Sequence, residues 1–202
     1  MLLQINKRFD PNVGIEISSQ LPAILILGKN RSLTKEILET LKKELSSQLG
    51  CTILEVTKVK ELETVMALMD QRINQLDHHS YINDIRVIII EDVEGLGNTA
   101  NGLIFLDYLF ERARVAKLII VIRSTSTHLS SLITDLADKC NVRLIAQMQN
   151  TTDLELLAQP DTECGLPSDK DRSFLIRQEG MPPKLSKLEE YNRKDEIVSE
   201  SN

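Results

Sequence analysis

Aromatic residues are scarce in this chain of 202 residues, because they make up 3% of it and tryptophan is absent. The hydrophobic core is therefore predicted to be aliphatic, and stacking of nucleic-acid bases on aromatic side chains is disfavoured. An excess of basic residues is missing too, since the net charge at neutral pH is −6. Proteins that follow a phosphate backbone usually present a basic face. The composition therefore predicts no nucleic-acid partner.

Cysteines and long apolar runs are also rare. The three cysteines lack the close spacing of a disulfide framework or a zinc site, so we expect reduced thiols in a cytosolic compartment (Cys51, Cys140 and Cys164). No apolar run approaches the roughly 20 residues of a membrane-spanning helix. This segment is not expected to insert into a membrane, and any attachment would come from another chain or a further part of this one.

Short and almost uninterrupted aliphatic runs are what the sequence does contain. Three of them predict strands buried on both faces, as in a parallel sheet: residues 23–27, 87–90 and 118–122. Four less apolar segments are further strand candidates, the first as an edge or leading strand and the last as a final edge strand: 13–18, 52–56, 142–146 and 173–177.

Amphipathic stretches separate these strands. Apolar residues share one face over 33–49, 62–76 and 129–140, Gly50 is placed to end the first helix, and Thr152 with Glu155 forms a capping-box pattern. Alternating strands and helices predict an α/β fold with helices on both faces of a mainly parallel sheet. We expect one domain over residues 1–185 and a charged, disordered tail over 186–202.

Ligands of open α/β sheets bind beyond the carboxyl ends of the strands, and the first strand here leads into a glycine. A phosphate-binding loop at this place has the pattern GxxxxGK[ST]. The first glycine is present, but the second glycine, the lysine and the hydroxyl residue are replaced by Leu33, Thr34 and Lys35. The candidate loop is Gly28, Lys29, Asn30, Arg31, Ser32, Leu33, Thr34 and Lys35.

Three interpretations of this loop stay open. It is a plain strand–helix connection, a weak nucleotide site in which Lys29, Arg31 and Lys35 attract an anion, or a competent catalytic loop. The end of the 87–90 strand adds a second mismatch. ATPases place an aspartate there for magnesium and often a glutamate next, whereas this chain has Glu91 and then Asp92. These acids alternatively cap the following helix or stay solvated. ATP and magnesium are therefore expected to bind weakly at most.

Two other polar clusters contain residue types that bind metals. His78 and His79 are adjacent, but no Cys, Asp or Glu completes a spaced set. The stretch with Asp161, Glu163 and Cys164 lacks the regular oxygen spacing of a calcium loop. Both are predicted to be surface loops, and no metal site is predicted.

The order of these landmarks resembles the FtsK/SpoIIIE family of ring-forming ATPases. Within it, the chain is similar to the last, degenerate ATPase domain of the type VII secretion motors (the EssC/EccC proteins). The similar stretches are 13–28, 87–96, 110–125 and 171–180, and the resemblance runs from Val13 to about Leu185. It implies a three-layer P-loop NTPase-like (RecA/FtsK-type) sandwich. Arg114 matches a family arginine and is a possible arginine finger for a neighbouring domain, while Ser124 and Thr125 replace the Thr-Gln sensor.

The resemblance implies a non-hydrolysing domain that recognises substrates or regulates secretion, on the cytoplasmic side of a membrane-anchored complex. Its implied partners are the preceding ATPase domains of the motor and small helical-hairpin (WxG-type) secreted proteins. The helical stripes at 62–76 and 129–140 are candidate docking faces, and the alternative is that both stripes belong to the hydrophobic core. The rival interpretation is a weak ATPase in which Lys29 or Lys35 replaces the loop lysine, and a third is a relative of DNA translocases.

Overall fold

The computed structural model describes residues 2–4, 14–16, 22–77, 84–124, 126, 128–158 and 165–188. A separate antiparallel ribbon comes first, made of β1 (Leu2–Gln4) and β2 (Gly14–Glu16). The main sheet contains β3 (Ala23–Leu27), β4 (Thr52–Val56), β5 (Arg86–Ile90), β6 (Leu118–Arg123), β7 (Val142–Ile145), β8 (Ser173–Gln178) and β9 (Lys184–Lys187). The helices are α1 (Arg31–Leu49), α2 (Val59–Asp77), α3 (Val93–Gly97), α4 (Ala100–Ala113), α5 (Ser131–Lys139) and α6 (Thr151–Ala158).

The main sheet has the order β4-β5-β6-β3-β7-β8-β9. Its first five strands are parallel, and β8 and β9 join antiparallel. The predicted α/β architecture with a mainly parallel sheet is confirmed. The carboxyl ends of the five parallel strands meet at one side of the sheet, which we call the carboxyl edge, and the opposite side is the amino edge.

The end of the described chain differs from the sequence-based expectation. The strand over 173–177 was predicted to close the sheet, but β9 pairs beyond β8, so β8 is an inner strand. The predicted domain boundary after Leu185 falls inside β9, and the Leu188 N–H still donates to Arg172 O at 3.0 Å. Residues 189–202, most of the predicted tail, lie outside the described residues.

Alternating side chains of the strands build two aliphatic layers. Ile24 and Ile26 of β3 pack against α1, whereas Leu25 and Leu27 face the helices of the other side. The predicted buried runs are thus covered on both faces, as parallel strands require. Among the described helices, none is long and apolar enough to cross a membrane.

Helix ends follow the capping chemistry of the sequence in most places. Gly50 ends α1 in the left-handed region, with φ of 61°, as its position predicted. The start of α6 is different, because the Asn150 side chain accepts the Thr152 N–H at 3.2 Å and the predicted capping role of Thr152 is wrong. Cys51 and Cys140 are buried free thiols, and Cys164 lies outside the described residues.

Candidate functional site

The connection between β3 and α1 is only three residues long, because α1 begins at Arg31. Gly28 lies against the end of β7, where a Cβ atom on it would be 2.6 Å from Cβ of Ala146. The Lys29 N–H donates to the carbonyl of Gln147 at 2.9 Å. The segment from Arg31 to Lys35 is therefore helical and does not form a loop that could wrap phosphates.

Asn30 occupies the start of α1. Its Oδ1 accepts the N–H groups of Ser32 and Leu33, both at 3.1 Å, and its carbonyl accepts the Thr34 N–H at 3.0 Å. Unsatisfied N–H groups of a first helical turn are what bind anions at helix N-termini. Here one side chain of the protein already satisfies two of these donors.

Two of the residues that replace the phosphate-loop consensus point into the protein. Leu33 is buried in the aliphatic layer under α1. Thr34, at the position of the lysine, is fully buried, and its hydroxyl donates to Arg31 O at 3.1 Å. Arg31 and Lys35 are exposed. The side chains at the second glycine and lysine positions therefore serve packing.

The turn at 168–172, just before β8, lies beside the start of α1. Lys29 Nζ is 3.8 Å from Asp169 Oδ2, and the Asp169 N–H donates to Gln147 Oε1 at 3.3 Å. Arg172 forms an ion pair with Glu36 on the second turn of α1. Lys29 is the first candidate to replace the loop lysine, and its charge thus lies beside the carboxylate of Asp169 in the same chain.

Glu91, at the end of β5, is held by two cations. Its Oε1 lies 3.1 Å from Lys42 Nζ on α1, and its Oε2 lies 3.6 Å from a terminal nitrogen of Arg123 on β6. Lys42 also contacts Glu55 on β4 at 2.9 Å and Glu39 at 3.0 Å. A lysine therefore contacts the acid that stands at the magnesium position of an ATPase.

The pKa shifts agree with this arrangement. Burial alone would raise the pKa of Glu91, but the hydrogen bond and charge of Lys42, with Arg123 and Lys35, hold it below its ordinary value. Burial would likewise lower the pKa of Lys42, and its hydrogen bonds to Glu55, Glu39 and Glu91 outweigh that effect and raise it. Glu91 and Lys42 are therefore both charged at neutral pH. A divalent cation at Glu91 would have to displace the side chains of Lys42 and Arg123.

The second acid, Asp92, is the N-cap of α3. Its Oδ1 accepts the Gly95 N–H at 3.0 Å, and the side chain is exposed. This is one of the two roles that the sequence left open for the acids. Asp92 is thus engaged in capping at the position where an ATPase holds its water-polarising glutamate.

A third acid, Glu94, contacts Ser124, one of the two residues at the sensor position. Ser124 is buried next to β3, where its N–H donates to Ile26 O at 2.9 Å, and its hydroxyl donates to Glu94 Oε1. The Ser126 N–H donates to the same oxygen at 2.8 Å. Thr125 lies outside the described residues. Glu94 was not selected as a site residue from the sequence, although it lies in the 87–96 stretch that resembles the ATPase family, two residues before Leu96.

Arg114 lies far from this constellation. It follows α4 directly and precedes β6, so it is at the amino edge, and it is exposed. No ion pair joins it to Glu111 in the described part of the chain. It cannot reach the candidate loop of its own chain, and a role toward a neighbouring domain stays a prediction.

Metal chemistry finds little support among these side chains. In the described ranges, no group of three or more His, Cys, Asp or Glu residues could hold a metal ion. His78, His79, Asp161, Glu163 and Cys164 lie outside those ranges. The described residues also do not fit a magnesium nucleotide, because the Asn30 side chain accepts two of the N–H groups at the start of α1 and Lys42 forms an ion pair with Glu91.

Several solved structures share this fold. The pCW3 conjugation coupling protein TcpA, in its monomer form with ATPγS, superposes with a TM-score of 0.71 at 14% identity over 95% of this chain and 68% of its own. Thermomonospora curvata EccC (ATPases 2 and 3), in complex with a signal sequence peptide, gives 0.62 at 13% identity over 88% of this chain. Geobacillus thermodenitrificans EssC (ATPases 2 and 3) gives 0.60 at 8% identity over 89%.

These identities establish likeness of fold. The resemblance to FtsK/SpoIIIE-type ATPases and to EccC/EssC domains that the sequence suggested is confirmed at that level. The chain spans 38% of the EccC chain and 42% of the EssC chain. No protein-family model and no curated protein matches the sequence.

Proposed function

We propose that this chain is a non-hydrolysing ATPase-like domain of a type VII secretion motor, acting in substrate recognition or regulation of secretion. The observation that carries the proposal is the side chain of Asn30, which fills the anion position at the start of α1. A phosphate loop needs free N–H groups and a flexible glycine backbone. Here the N–H groups of Ser32, Leu33 and Thr34 already have acceptors on Asn30, and the segment from Arg31 is helical.

The metal position supports the same conclusion. Magnesium binding would require Glu91 to leave both Lys42 and Arg123, and water activation would require Asp92 to leave the N-terminus of α3. Phosphoryl transfer depends on close positioning, and a misplacement of about 1 Å costs about a hundredfold in rate. A scaffold that keeps the fold but engages these groups internally is suited to binding partners.

The comparisons suggest the machine in which such a domain works. EssC and EccC carry numbered ATPase domains, and one EccC structure contains a signal sequence peptide. By analogy, the partners of this chain are the preceding ATPase domains of its motor and small helical-hairpin (WxG-type) substrates. Its location is the cytoplasmic side of a membrane-anchored complex.

Nucleotide titration separates this proposal from the rival of a weak ATPase, which the ATPγS in the TcpA structure keeps in view. Isothermal titration with Mg-ATP and a turnover assay are run on the wild type, Lys29→Ala and Asp92→Ala. Lys43→Ala is the matched control, because Lys43 is an exposed lysine of α1. We expect no saturable heat and no turnover in any sample.

Turnover in the wild type and in Lys43→Ala that disappears in Lys29→Ala and Asp92→Ala would establish the ATPase and refute the proposal.

The proposed recognition of substrates is tested by pull-down of helical-hairpin substrates with and without their C-terminal tails. Equal retention of both forms would contradict docking through the tail. A salt-dependent gel shift with duplex DNA tests the hypothesis that the chain is a relative of DNA translocases. Because the net charge is −6, we expect no shift.

A further inference from the structure

A small polar cavity lies at the β7–β8 part of the amino edge, on the opposite edge of the sheet from the candidate site. It forms where α5 ends, β7 begins and β8 ends, and its volume is about 150 Å³. Since a water molecule takes about 30 Å³, this space admits a group as small as a carboxylate or a phosphate. We call it the Arg177 cavity, and its lining residues are Asp138, Cys140, Asn141, Arg143, Arg177 and Glu179.

Two of these residues are arginines that face each other. Arg143 on β7 and Arg177 on β8 are direct partners in the antiparallel register, so their side chains leave the sheet on the same face. Like charges directly opposite each other destabilise a sheet. Neither arginine forms an ion pair in the part of the chain that the structure describes. The pair therefore carries two positive charges that no internal carboxylate neutralises.

The guanidinium of Arg143 is fixed by backbone carbonyls. Its Nε and NH2 donate to Ala137 O at 3.0 and 2.7 Å, and its NH1 donates to Leu157 O at 2.8 Å. These carbonyls belong to the last turns of α5 and α6. Arg143 thus holds two helix ends and contributes its charge to the cavity from a fixed position.

Arg177 keeps part of its guanidinium open. Its NH1 donates to Gln178 O at 3.0 Å and to Met181 O, which fixes the side chain. Its Nε and NH2 have no acceptor among the described residues. These two nitrogens lie on the same side of the guanidinium and donate in parallel, which is the arrangement that binds a carboxylate or a phosphate through two hydrogen bonds.

The other lining groups discriminate between these anions. Asp138 and Glu179 are exposed, and neither forms an ion pair with the arginines. Two nearby carboxylates repel a dianion about twice as strongly as a monoanion. Burial raises the pKa of the Cys140 thiol to about 12, so this group stays neutral and adds no charge. The cavity is therefore better suited to a carboxylate than to a phosphate dianion.

We propose that the Arg177 cavity binds a carboxylate group, with Nε and NH2 of Arg177 as the two donors and Arg143 as the second positive charge. The site uses none of the residues of the candidate nucleotide site. The source of the carboxylate rests on the proposed function: it is a carboxylate of the C-terminal tail by which a secreted substrate is recognised.

NMR titration of the full chain with N-acetyl-alanyl-alanine tests the site, and the C-terminal amide of the same dipeptide is the control ligand. We expect a saturable shift of the Arg177 Nε–H signal with the acid and no shift with the amide. In the variants, affinity is read from the backbone amide of Glu179. Arg177→Lys keeps the charge but loses the paired donors, and it should weaken binding about tenfold.

The matched control is Arg86→Lys, because Arg86 is also a half-buried strand arginine of the amino edge but pairs through Nε with Asp84 at 2.7 Å. It should leave the affinity within about twofold. Replacing both acids, Asp138→Asn with Glu179→Gln, should tighten binding of the dipeptide about threefold or more, because the repulsion is removed. A merely structural arginine would not respond to that change.

Four results would overturn the carboxylate site: no shift in the wild type, an equal shift with the amide, equal weakening in Arg177→Lys and Arg86→Lys, or unchanged affinity after both acids are replaced. The source of the carboxylate is decided by the substrate pull-down. Tail-dependent retention that persists in Arg177→Lys would overturn the assignment to the tail. Dipeptide binding to a wild type that retains substrates equally with and without tails would refute tail recognition and leave the site standing.

Discussion

The two edges of the sheet use the same residue types in different ways. At the amino edge, Arg72 is 3% exposed, and each of its three nitrogens donates: Nε to Ala116 O at 2.8 Å, NH1 to both carboxylate oxygens of Asp84, and NH2 to Asp84 O at 2.7 Å. At the carboxyl edge, Glu91 is shared between Lys42 and Arg123, and Nε of Arg123 is buried without a partner.

We propose that this difference separates a structural joint from a modified ligand site. A buried guanidinium with every nitrogen engaged ties α2 to the segments that precede β5 and β6, which is a purely structural task. The carboxyl edge is where ligands of such sheets bind, and its charges are engaged less completely. Under the proposed function, side chains of the protein stand there in place of the groups that a nucleotide and its metal would supply.

Replacing the arginine of the amino edge is expected to have the largest effect. Arg72→Ala leaves the carbonyl of Ala116 without its donor and Asp84 without its bidentate partner, and should reduce the free energy of unfolding by about 3 kcal/mol. Urea denaturation measures the loss. The control is Arg86→Ala, since Arg86 is 33% exposed in its single ion pair to the same Asp84 and should cost less than about 1 kcal/mol. Similar losses of unfolding free energy in both variants would mean that the buried Arg72 contributes no more than an ordinary surface ion pair.

The framework of this fold could be predicted because its strands are buried on both faces. The runs at 23–27, 87–90 and 118–122 contain almost only Ile, Leu and Val, and each became a central strand of the sheet. Of the two edge strands, β4 was predicted at 52–56, whereas β9 was not. β9 carries Lys184 and Lys187, and its pairing with β8 depends on contacts that the local pattern does not encode.

The candidate site was predictable in part. An asparagine directly before an amphipathic stretch is an N-cap pattern, so the role of Asn30 was readable from the sequence. The contact of Lys42 with Glu55 and Glu91 was not, because these residues are distant in the chain and only the order β4-β5 beside α1 brings them together. The loop mismatch disfavoured a competent phosphate site, and the topology determined which side chains contact Lys29 and Glu91.

Lys42→Met tests how much the ion pairs of the carboxyl edge contribute to stability. Removing a mostly buried cation that contacts three carboxylates should cost about 2 kcal/mol at neutral pH, between the values for exposed and buried pairs. Because the pKa of Glu91 is held below its ordinary 4.5, its ion pairs stabilise the fold above that pH and are lost as pH falls through the folded-state pKa. The deficit of Lys42→Met should therefore shrink below pH 4.5.

The raised pKa of Lys42 acts with the opposite sign. Its stabilisation is complete below the ordinary value of 10.5 and is lost only as pH rises through the folded-state value, so the deficit should stay constant from neutral pH to about 10. Lys43→Met, at the exposed neighbouring position, is the control and should show neither the deficit nor its pH dependence. A deficit that persists unchanged at pH 3 would show that Lys42 stabilises by packing.

Asn30 gives the smallest effect and the most direct test of what the side chain replaces. Asn30→Ala should cost about 1 kcal/mol, because the N–H groups of Ser32 and Leu33 lose their acceptor. Those freed donors lie at a helix N-terminus beside Lys29 and Arg31, which is a favourable place for an anion. Millimolar phosphate should therefore raise the melting temperature of Asn30→Ala, and this increase should exceed the increase in the wild type by about 2 °C or more.

The matched control is Ser130→Ala, which removes the N-cap of α5. It should lose a similar free energy, but phosphate should not restore it, because Lys29 and Arg31, which flank the start of α1, have no counterpart in the sequence around Ser130. If phosphate stabilised the wild type, Asn30→Ala and Ser130→Ala equally, the ion would be acting on the whole protein. Asn30 would then be an ordinary cap, and the case that it stands in place of a nucleotide phosphate would rest on the fold alone.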